Sequence, residues 1–102
     1  SEDRHAAALV PTQGEASLFD DTGELVRFVA QHPPQQDQVA FVHDYQSRRW
    51  LPASDAFFVK DLELVTPMGT GIVAFAERSS AESFAQPRQA PVLRWEEVLN
   101  AH

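Results

Sequence analysis

The residues from Val39 to Tyr45 alternate between two sets, and this feature constrains the fold more than any other in the chain. One set is Val39, Phe41, His43 and Tyr45, and the other is Ala40, Val42 and Asp44. A period of two predicts a β-strand. Just upstream, positions 25, 28, 29 and 32 hold Leu, Phe, Val and His. Steps of three and four predict a helix from about Thr22 to Gln31, which ends before Pro33-Pro34.

The segment before this helix has the pattern of a β-hairpin. A short apolar run from Ala6 to Thr12 is followed by Gln13-Gly14 and a second run from Glu15 to Asp20. Pro11 indicates that its strand lies at a sheet edge or carries a bulge. Asp21 and Glu24 have capping-box spacing, with Thr22 as an alternative cap.

The second half of the chain repeats the order of strands and then helix. Gln46 to Arg48 predicts a turn, and Arg49-Trp50-Leu51 begins a return strand in which we expect Trp50 to pair with Tyr45. The remaining predicted elements are a strand at Phe57–Val59, a loop over 66–71, a buried strand at Ile72–Ala76, a helix from the Ser79–Glu82 capping box to Ala85, a strand at Val92–Arg94 and a helical turn at Trp95–Leu99. We therefore predict one α+β domain over residues 1–102, loose at 1–5 and 33–38.

Composition excludes several functions. The 102 residues include 15 acidic and 8 basic side chains, for a net charge of −7, and Lys60 is the single lysine. Nucleic-acid binding requires clustered positive charge, which this chain lacks. The absence of cysteine excludes disulfides and thiolate sites within the chain. We expect no enzymatic activity, because no residue set combines a nucleophile with a base.

Three side chains are candidate metal ligands. Met68 lies between Pro67 and Gly69, and soft sulfur ligands select Cu(I) over Zn(II) and Mg(II). A core methionine that fills a packing gap is the alternative for Met68. His43 carries a potential imidazole ligand, although a hydrogen-bonded structural histidine would have the same sequence. His5 is an auxiliary candidate in the N-terminal segment, where a solvated histidine is equally typical.

Helix capping and turn formation already explain two other groups. Asp20-Asp21 and Asp44 form no catalytic pair on this interpretation, because Asp21 caps a helix and Asp44 begins a turn. We expect six phenylalanines and both tryptophans to lie in the core; the six are Phe28, Phe41, Phe57, Phe58, Phe75 and Phe84.

The order and spacing of short motifs resemble those of the NosL family. These motifs are Phe19-Asp20-Asp21 before a Leu/Phe helix, Val42-His43-Asp44-Tyr45, Trp50 four residues beyond Gln46, Ala56-Phe57-Phe58-Val59, Thr66-Pro67-Met68-Gly69, Ala74-Phe75-Ala76, Phe84 in a capped helix, and Val92-Leu93-Arg94-Trp95-Glu96-Glu97-Val98. They span roughly residues 16–99. The Pro-Met-Gly between two strands is the most specific of them.

The resemblance implies a fold, a cargo and a location. NosL proteins are envelope lipoproteins associated with copper-centre maturation of nitrous oxide reductase, and their fold has two ββα-like halves. It therefore implies a periplasmic Cu(I) carrier that delivers to a copper-dependent enzyme or another copper-handling envelope protein. The family's Cys–Gly–Met motif, and a lipid-bearing cysteine that would be the protein's contact with the membrane, would lie upstream of Ser1.

Two hypotheses follow from the sequence. The first is a Cu(I) chaperone that uses Met68, with His43 and His5 as further ligands and a cysteine from outside this chain. The second is a metal-free interaction module that keeps the fold and docks onto a partner protein.

Overall fold

The computed structural model describes residues 3–33 and 37–101. It contains seven strands and three α-helices: β1 (Ala7–Pro11), β2 (Ser17–Phe19), α1 (Thr22–Gln31), β3 (Gln38–His43), β4 (Trp50–Pro52), β5 (Phe57–Lys60), β6 (Ile72–Phe75), α2 (Arg78–Ala85), β7 (Val92–Leu93) and α3 (Trp95–Asn100). Short 3-10 helices cover Asp3–His5, Ala53–Asp55 and Gln86–Arg88. None of the helices in the described ranges is long and apolar enough to cross a bilayer.

The strands form two antiparallel sheets. The first has the order β2-β1-β3-β4 and the second the order β6-β5-β7. A parallel bridge between Asp44 and Ala74 connects the end of β3 to β6. Each sheet contributes a hairpin followed by a helix, β1-β2-α1 and β5-β6-α2. The predicted α+β architecture with two ββα-like halves is therefore confirmed.

Helix α1 has the bounds that the sequence predicted, because its signals are local. The Asp21 side chain accepts a hydrogen bond from Gly23 N–H at 2.7 Å and caps the helix. The Glu24 carboxylate accepts from the Asp20 N–H rather than from the cap residue, so the capping box is shifted by one position. Leu25 and Val26 are fully buried on the inner face of the helix.

The core consists of two hydrophobic clusters. The larger joins the inner face of the first sheet to α1, α3 and part of the second sheet, and its buried members include Ala7, Leu9, Leu25, Val26, Val42, Phe58, Ile72 and Val98. The smaller lies between the second sheet and α2 and comprises Val59, Val73, Phe75, Ala81 and Ala85, with Tyr45 and Phe84 packed against it. Almost all apolar burial thus depends on contacts between distant segments.

The first sheet leaves an apolar outer face. Directly paired residues of antiparallel strands share a face, and the pairs Ala8–Leu18, Ala8–Phe41 and His43–Trp50 place these side chains opposite the core. Leu18 is 76% exposed and Trp50 is 50% exposed. The expectation that both tryptophans lie in the core is therefore wrong for Trp50.

The structure corrects three expectations about the strands and the N-terminal segment. Strand β1 lies between β2 and β3 rather than at an edge, and Pro11 at its end pairs only with Gln38 of β3. Trp50 pairs with His43 and not with Tyr45. Residues 1–5 were expected to be loose, but Asp3–His5 forms a 3-10 helix in which His5 is buried.

The cap of helix α2 also differs from prediction. Ser79 was expected to cap α2, but the cap position is Glu77 and makes no side-chain capping bond. In the segment 33–38, residues 34–36 lie outside the described residues and Gln38 belongs to β3.

Candidate functional site

The loop between β5 and β6 holds Met68 in a tightly hydrogen-bonded turn. The Gly69 N–H donates to the Thr66 carbonyl at 2.9 Å. The Thr66 hydroxyl oxygen accepts from the backbone N–H groups of Thr70 and Gly71 at 3.0 and 3.1 Å. Thr66 and Thr70 are buried, so the backbone on both sides of Met68 is fixed.

Asp21 joins this loop to the first turn of α1. Its Oδ1 accepts from the Gly23 N–H and from the Thr70 hydroxyl, and its Oδ2 accepts from the Met68 N–H at 2.8 Å. The carboxylate is fully buried. One side chain therefore caps the helix and holds the backbone of the candidate metal ligand.

The hydrogen bonds also determine the ionisation of Asp21. Burial alone raises the pKa of this carboxyl, but hydrogen bonds from the Thr66 and Thr70 side chains and from two backbone N–H groups outweigh burial. The pKa of Asp21 is therefore lowered from its ordinary value of 3.8. At neutral pH the Met68 N–H thus faces a carboxylate.

Gly23 permits the close approach of the loop to the helix. A Cβ atom at this position would lie 2.1 Å from Oγ1 of Thr70 and 2.3 Å from its Cβ. Real Cβ atoms do not come this close to other heavy atoms. The Thr70 hydroxyl reaches Asp21 because residue 23 has no side chain.

The Met68 side chain reaches solvent although its backbone is fixed. The residue is 49% exposed, which excludes a core methionine sealed inside a cluster. Leu62 and Val65 of the same connection are also exposed. The thioether is therefore available to a soluble ion or to a docking protein.

The His43 ring is held by the backbone of the N-terminal segment and by the Trp50 ring. Its Nδ1 lies 2.8 Å from the Ala6 carbonyl oxygen, and its ring packs on Trp50 with centroids 3.8 Å apart. A carbonyl only accepts, so Nδ1 carries the proton. The neutral ring then has its lone pair on Nε2, the nitrogen that would bind a metal.

His5 lies beside the N-terminus of α1. Its carbonyl accepts from the Thr22 hydroxyl at 3.4 Å, and its ring meets Tyr45 edge-on at 5.8 Å between centroids. Thr22 adjoins Asp21, which holds the Met68 N–H. The N-terminal segment and the Met68 loop therefore meet at the same helix turn.

The three predicted ligands lie in different parts of the fold: Met68 in the loop between β5 and β6, His43 at the end of β3, and His5 in the N-terminal 3-10 helix. Within residues 3–33 and 37–101, no group of three or more His, Asp or Glu side chains is arranged to hold a metal ion. The ligand assignment stays a prediction. Sequence reasoning identified Asp21 as a cap and missed its link to Met68, because the two residues are 47 positions apart and no local spacing indicates their contact.

The fold places the chain in a class of small two-sheet α+β proteins that includes a solved copper chaperone. The crystal structure of the copper chaperone NosL from Shewanella denitrificans matches with a TM-score of 0.82 and 21% sequence identity, over 97% of this chain and 82% of that one. A comparison with curated proteins gave no significant match.

The family model described as NosL matches residues 2–102. The chain belongs to the NosL family, as its motifs indicated.

Proposed function

We propose that this protein carries Cu(I) and delivers it for the assembly of a copper enzyme such as nitrous oxide reductase. The observation that carries the proposal is the half-exposed Met68 thioether on a loop whose backbone is fixed on both sides. Membership of the NosL family and the likeness to a solved copper chaperone support the same cargo.

The chemistry of a thioether suits a carrier. Thiolate and imidazole ligands bind metals in their deprotonated forms, so their metal affinity decreases as the solution becomes more acidic. A thioether has no proton to lose, and its softness favours Cu(I) over the harder divalent ions. Met68 can therefore bind and release Cu(I) without proton transfer at its own sulfur, which is appropriate to a protein that transfers metal and catalyses no reaction.

The remaining ligands come from the N-terminal side. A Cys–Gly–Met motif upstream of Ser1 would supply a thiolate, and the segment that leads to it runs from His5, beside the helix turn that holds Met68. His43 and His5 are the proposed auxiliary ligands, and His43 would use Nε2 because its Nδ1 faces the Ala6 carbonyl.

The protein would work in the periplasm, tethered by a lipid on an upstream cysteine, and would dock with a copper-dependent enzyme or another copper-handling envelope protein. The exposed Leu62 and Val65 near Met68 offer such a partner an apolar contact next to the metal.

A Cu(I) competition titration tests the metal assignment. The natural chain, extended upstream through any Cys–Gly–Met motif, is compared with its Met68→Leu variant. Leu62→Met is the control, because it adds a second exposed thioether outside the hydrogen-bonded turn that holds Met68. We expect one Cu(I) per chain, much weaker binding by Met68→Leu, and no gain from Leu62→Met. Equal affinities for the first two proteins would refute the role of Met68.

The second candidate is a metal-free interaction module of the same fold. The apolar outer face of the first sheet, with Leu18 and Trp50 exposed, favours this alternative. It predicts that the extended chain binds no stoichiometric Cu(I) and still captures a copper-handling envelope protein in a pull-down. The presence of a Cys–Gly–Met motif immediately upstream favours the copper carrier.

A further inference from the structure

The structure assigns to Asp21 a positioning role in copper binding: its carboxylate holds the backbone of Met68 so that the thioether is presented to the ion from a fixed loop. This inference rests on the proposed function, because it takes Met68 as the ligand. It concerns the geometry of Asp21 and assigns it no bond to copper.

The first observation is that the two carboxylate oxygens of Asp21 accept hydrogen bonds from different parts of the structure. Helix capping requires one acceptor for one backbone N–H, and Oδ1 meets that need at Gly23. Oδ2 has no part in the cap and accepts from the Met68 N–H at 2.8 Å. A cap alone would leave Oδ2 to water, whereas here it is buried and committed to the loop.

The fit between the helix turn and the loop is the second observation. The Thr70 hydroxyl also donates to Asp21, and this contact occupies the space where a side chain on residue 23 would lie. Thr66 then binds the N–H groups of Thr70 and Gly71. Asp21 is thus the one residue outside the loop to which both Met68 and Thr70 donate among the recorded bonds of the described chain.

Fixing the backbone of a ligand raises affinity because less conformational entropy is lost on binding. Groups that orient a metal ligand commonly affect metal affinity by roughly 10- to 100-fold when they are replaced. Asn at position 21 has one acceptor and one NH2 donor. If its oxygen keeps the Gly23 cap, the NH2 group faces the Met68 N–H, so the helix cap survives and the loop is released.

Asp44 provides a matched control. It is also a buried aspartate whose two oxygens accept from backbone N–H groups, Ser47 at one oxygen and Ala76 at the other, both at 2.9 Å. These partners lie at the junction of the two sheets and not in the Met68 loop. Asp44→Asn therefore removes an equivalent buried carboxylate without altering the support of Met68.

The test follows the 13C methyl resonance of Met68, assigned by its loss in Met68→Leu, while Cu(I), supplied anaerobically as its acetonitrile complex, is titrated into the natural chain extended upstream through any Cys–Gly–Met motif. We expect Asp21→Asn to shift the midpoint to roughly 10- to 100-fold higher Cu(I), and Asp44→Asn to leave it within about twofold. Exchange of the Met68 amide proton in the metal-free protein should accelerate in Asp21→Asn alone. A general loss of stability would not produce this spectroscopic difference between the two variants.

Three outcomes overturn the assignment: an unchanged midpoint in Asp21→Asn, equal shifts in both Asn variants, or unchanged exchange of the Met68 amide. If Asp21→Asn does not fold, Asp21→Ser replaces it, since serine keeps a capping oxygen and has no second oxygen for the Met68 N–H. A shift in the same direction then supports the assignment, and no shift overturns it. Failure of the proposed function has a different signature: Cu(I) leaves the Met68 methyl of the wild-type chain unmoved.

Discussion

The Asp21 carboxylate and the Met68 N–H are joined by a 2.8 Å hydrogen bond across 47 residues of sequence. Because of this bond, the N-terminus of α1 and the loop between β5 and β6 form one structural unit. The unit spans both ββα-like halves, since α1 belongs to the first and the loop to the second. The candidate site is therefore a product of the complete domain.

Gly23→Ala should destabilise the protein, although alanine normally favours a helix over glycine by about 1 kcal/mol. The new methyl group would lie 2.1 Å from the Thr70 hydroxyl oxygen. Overpacking of this kind typically costs about 1–3 kcal/mol. Urea denaturation of the variant and the wild type measures the effect. An increase in stability in the single variant would contradict the described contact.

Two glycines of the Met68 loop offer a matched comparison. Gly69 and Gly71 have φ values of 72° and 70°, so alanine is strained at both positions, by about 1–2 kcal/mol. A Cβ on Gly69 meets nothing within 4 Å, whereas a Cβ on Gly71 would lie 2.2 Å from the Asp61 carbonyl oxygen. Gly71→Ala should therefore lower the free energy of unfolding clearly more than Gly69→Ala. Equal losses in thermal denaturation would show that space at Gly71 does not matter.

Asp44 predicts a specific dependence of stability on pH. Burial raises the pKa of Asp44, but hydrogen bonds from the Ser47 side chain and from backbone N–H groups, including that of Ala76, lower it below the ordinary value of 3.8. A carboxyl whose pKa is lower in the folded state stabilises that state above the unfolded pKa. This contribution is lost as the pH falls below 3.8 and through the folded value.

The measurement compares wild type with Asp44→Asn by urea denaturation at pH 6 and at about pH 3. The difference in free energy of unfolding between the two proteins should be largest at pH 6 and should shrink at the lower pH, because the protonated aspartate has lost its charge-assisted bonds. A difference that stays constant over this range would show that the charge of Asp44 does not contribute.

The His43 ring should occupy a single tautomer. Its Nδ1 lies 2.8 Å from the Ala6 carbonyl oxygen and must donate, so the neutral ring carries no proton on Nε2. Two-dimensional 15N NMR of the imidazole distinguishes the two tautomers by their nitrogen shifts. An Nε2-protonated neutral ring would contradict this geometry and would remove the lone pair proposed for a metal.

Local signals made part of the fold predictable. Helix α1 was predicted with its observed bounds because Asp21 caps it, its apolar residues share one face and Pro33 follows it. The pairing of Trp50 was not predictable in the same way. The Asp44 carboxylate accepts from the Ser47 N–H, and the Tyr45 N–H donates to Ala74 in the other sheet. The pairing of β3 with β4 therefore ends at His43, although the alternating pattern continues to Tyr45.

The candidate site was predictable only in its exposed residue. Met68 could be identified because its side-chain chemistry and its neighbours Pro67 and Gly69 are contiguous in sequence. The hydrogen bond from the Met68 N–H to Asp21 could not be predicted. Helix capping already explained Asp21, and its contact with the loop depends on how α1 packs beside β6. The same holds for Ser79, whose capping-box spacing was satisfied in sequence but lies inside α2.

The bridge between Asp44 and Ala74 has a consequence for any attempt to divide the domain. The Tyr45 ring, from the first sheet's connection, packs on Phe75 and Phe84 of the second half, and Phe58 of the second sheet belongs to the cluster that contains Leu25 of the first. The larger hydrophobic cluster is therefore shared between the two ββα-like units, and the first unit has no separate interior. The pair should melt in one cooperative transition, and a chain cut between them should yield two fragments that fold only when mixed.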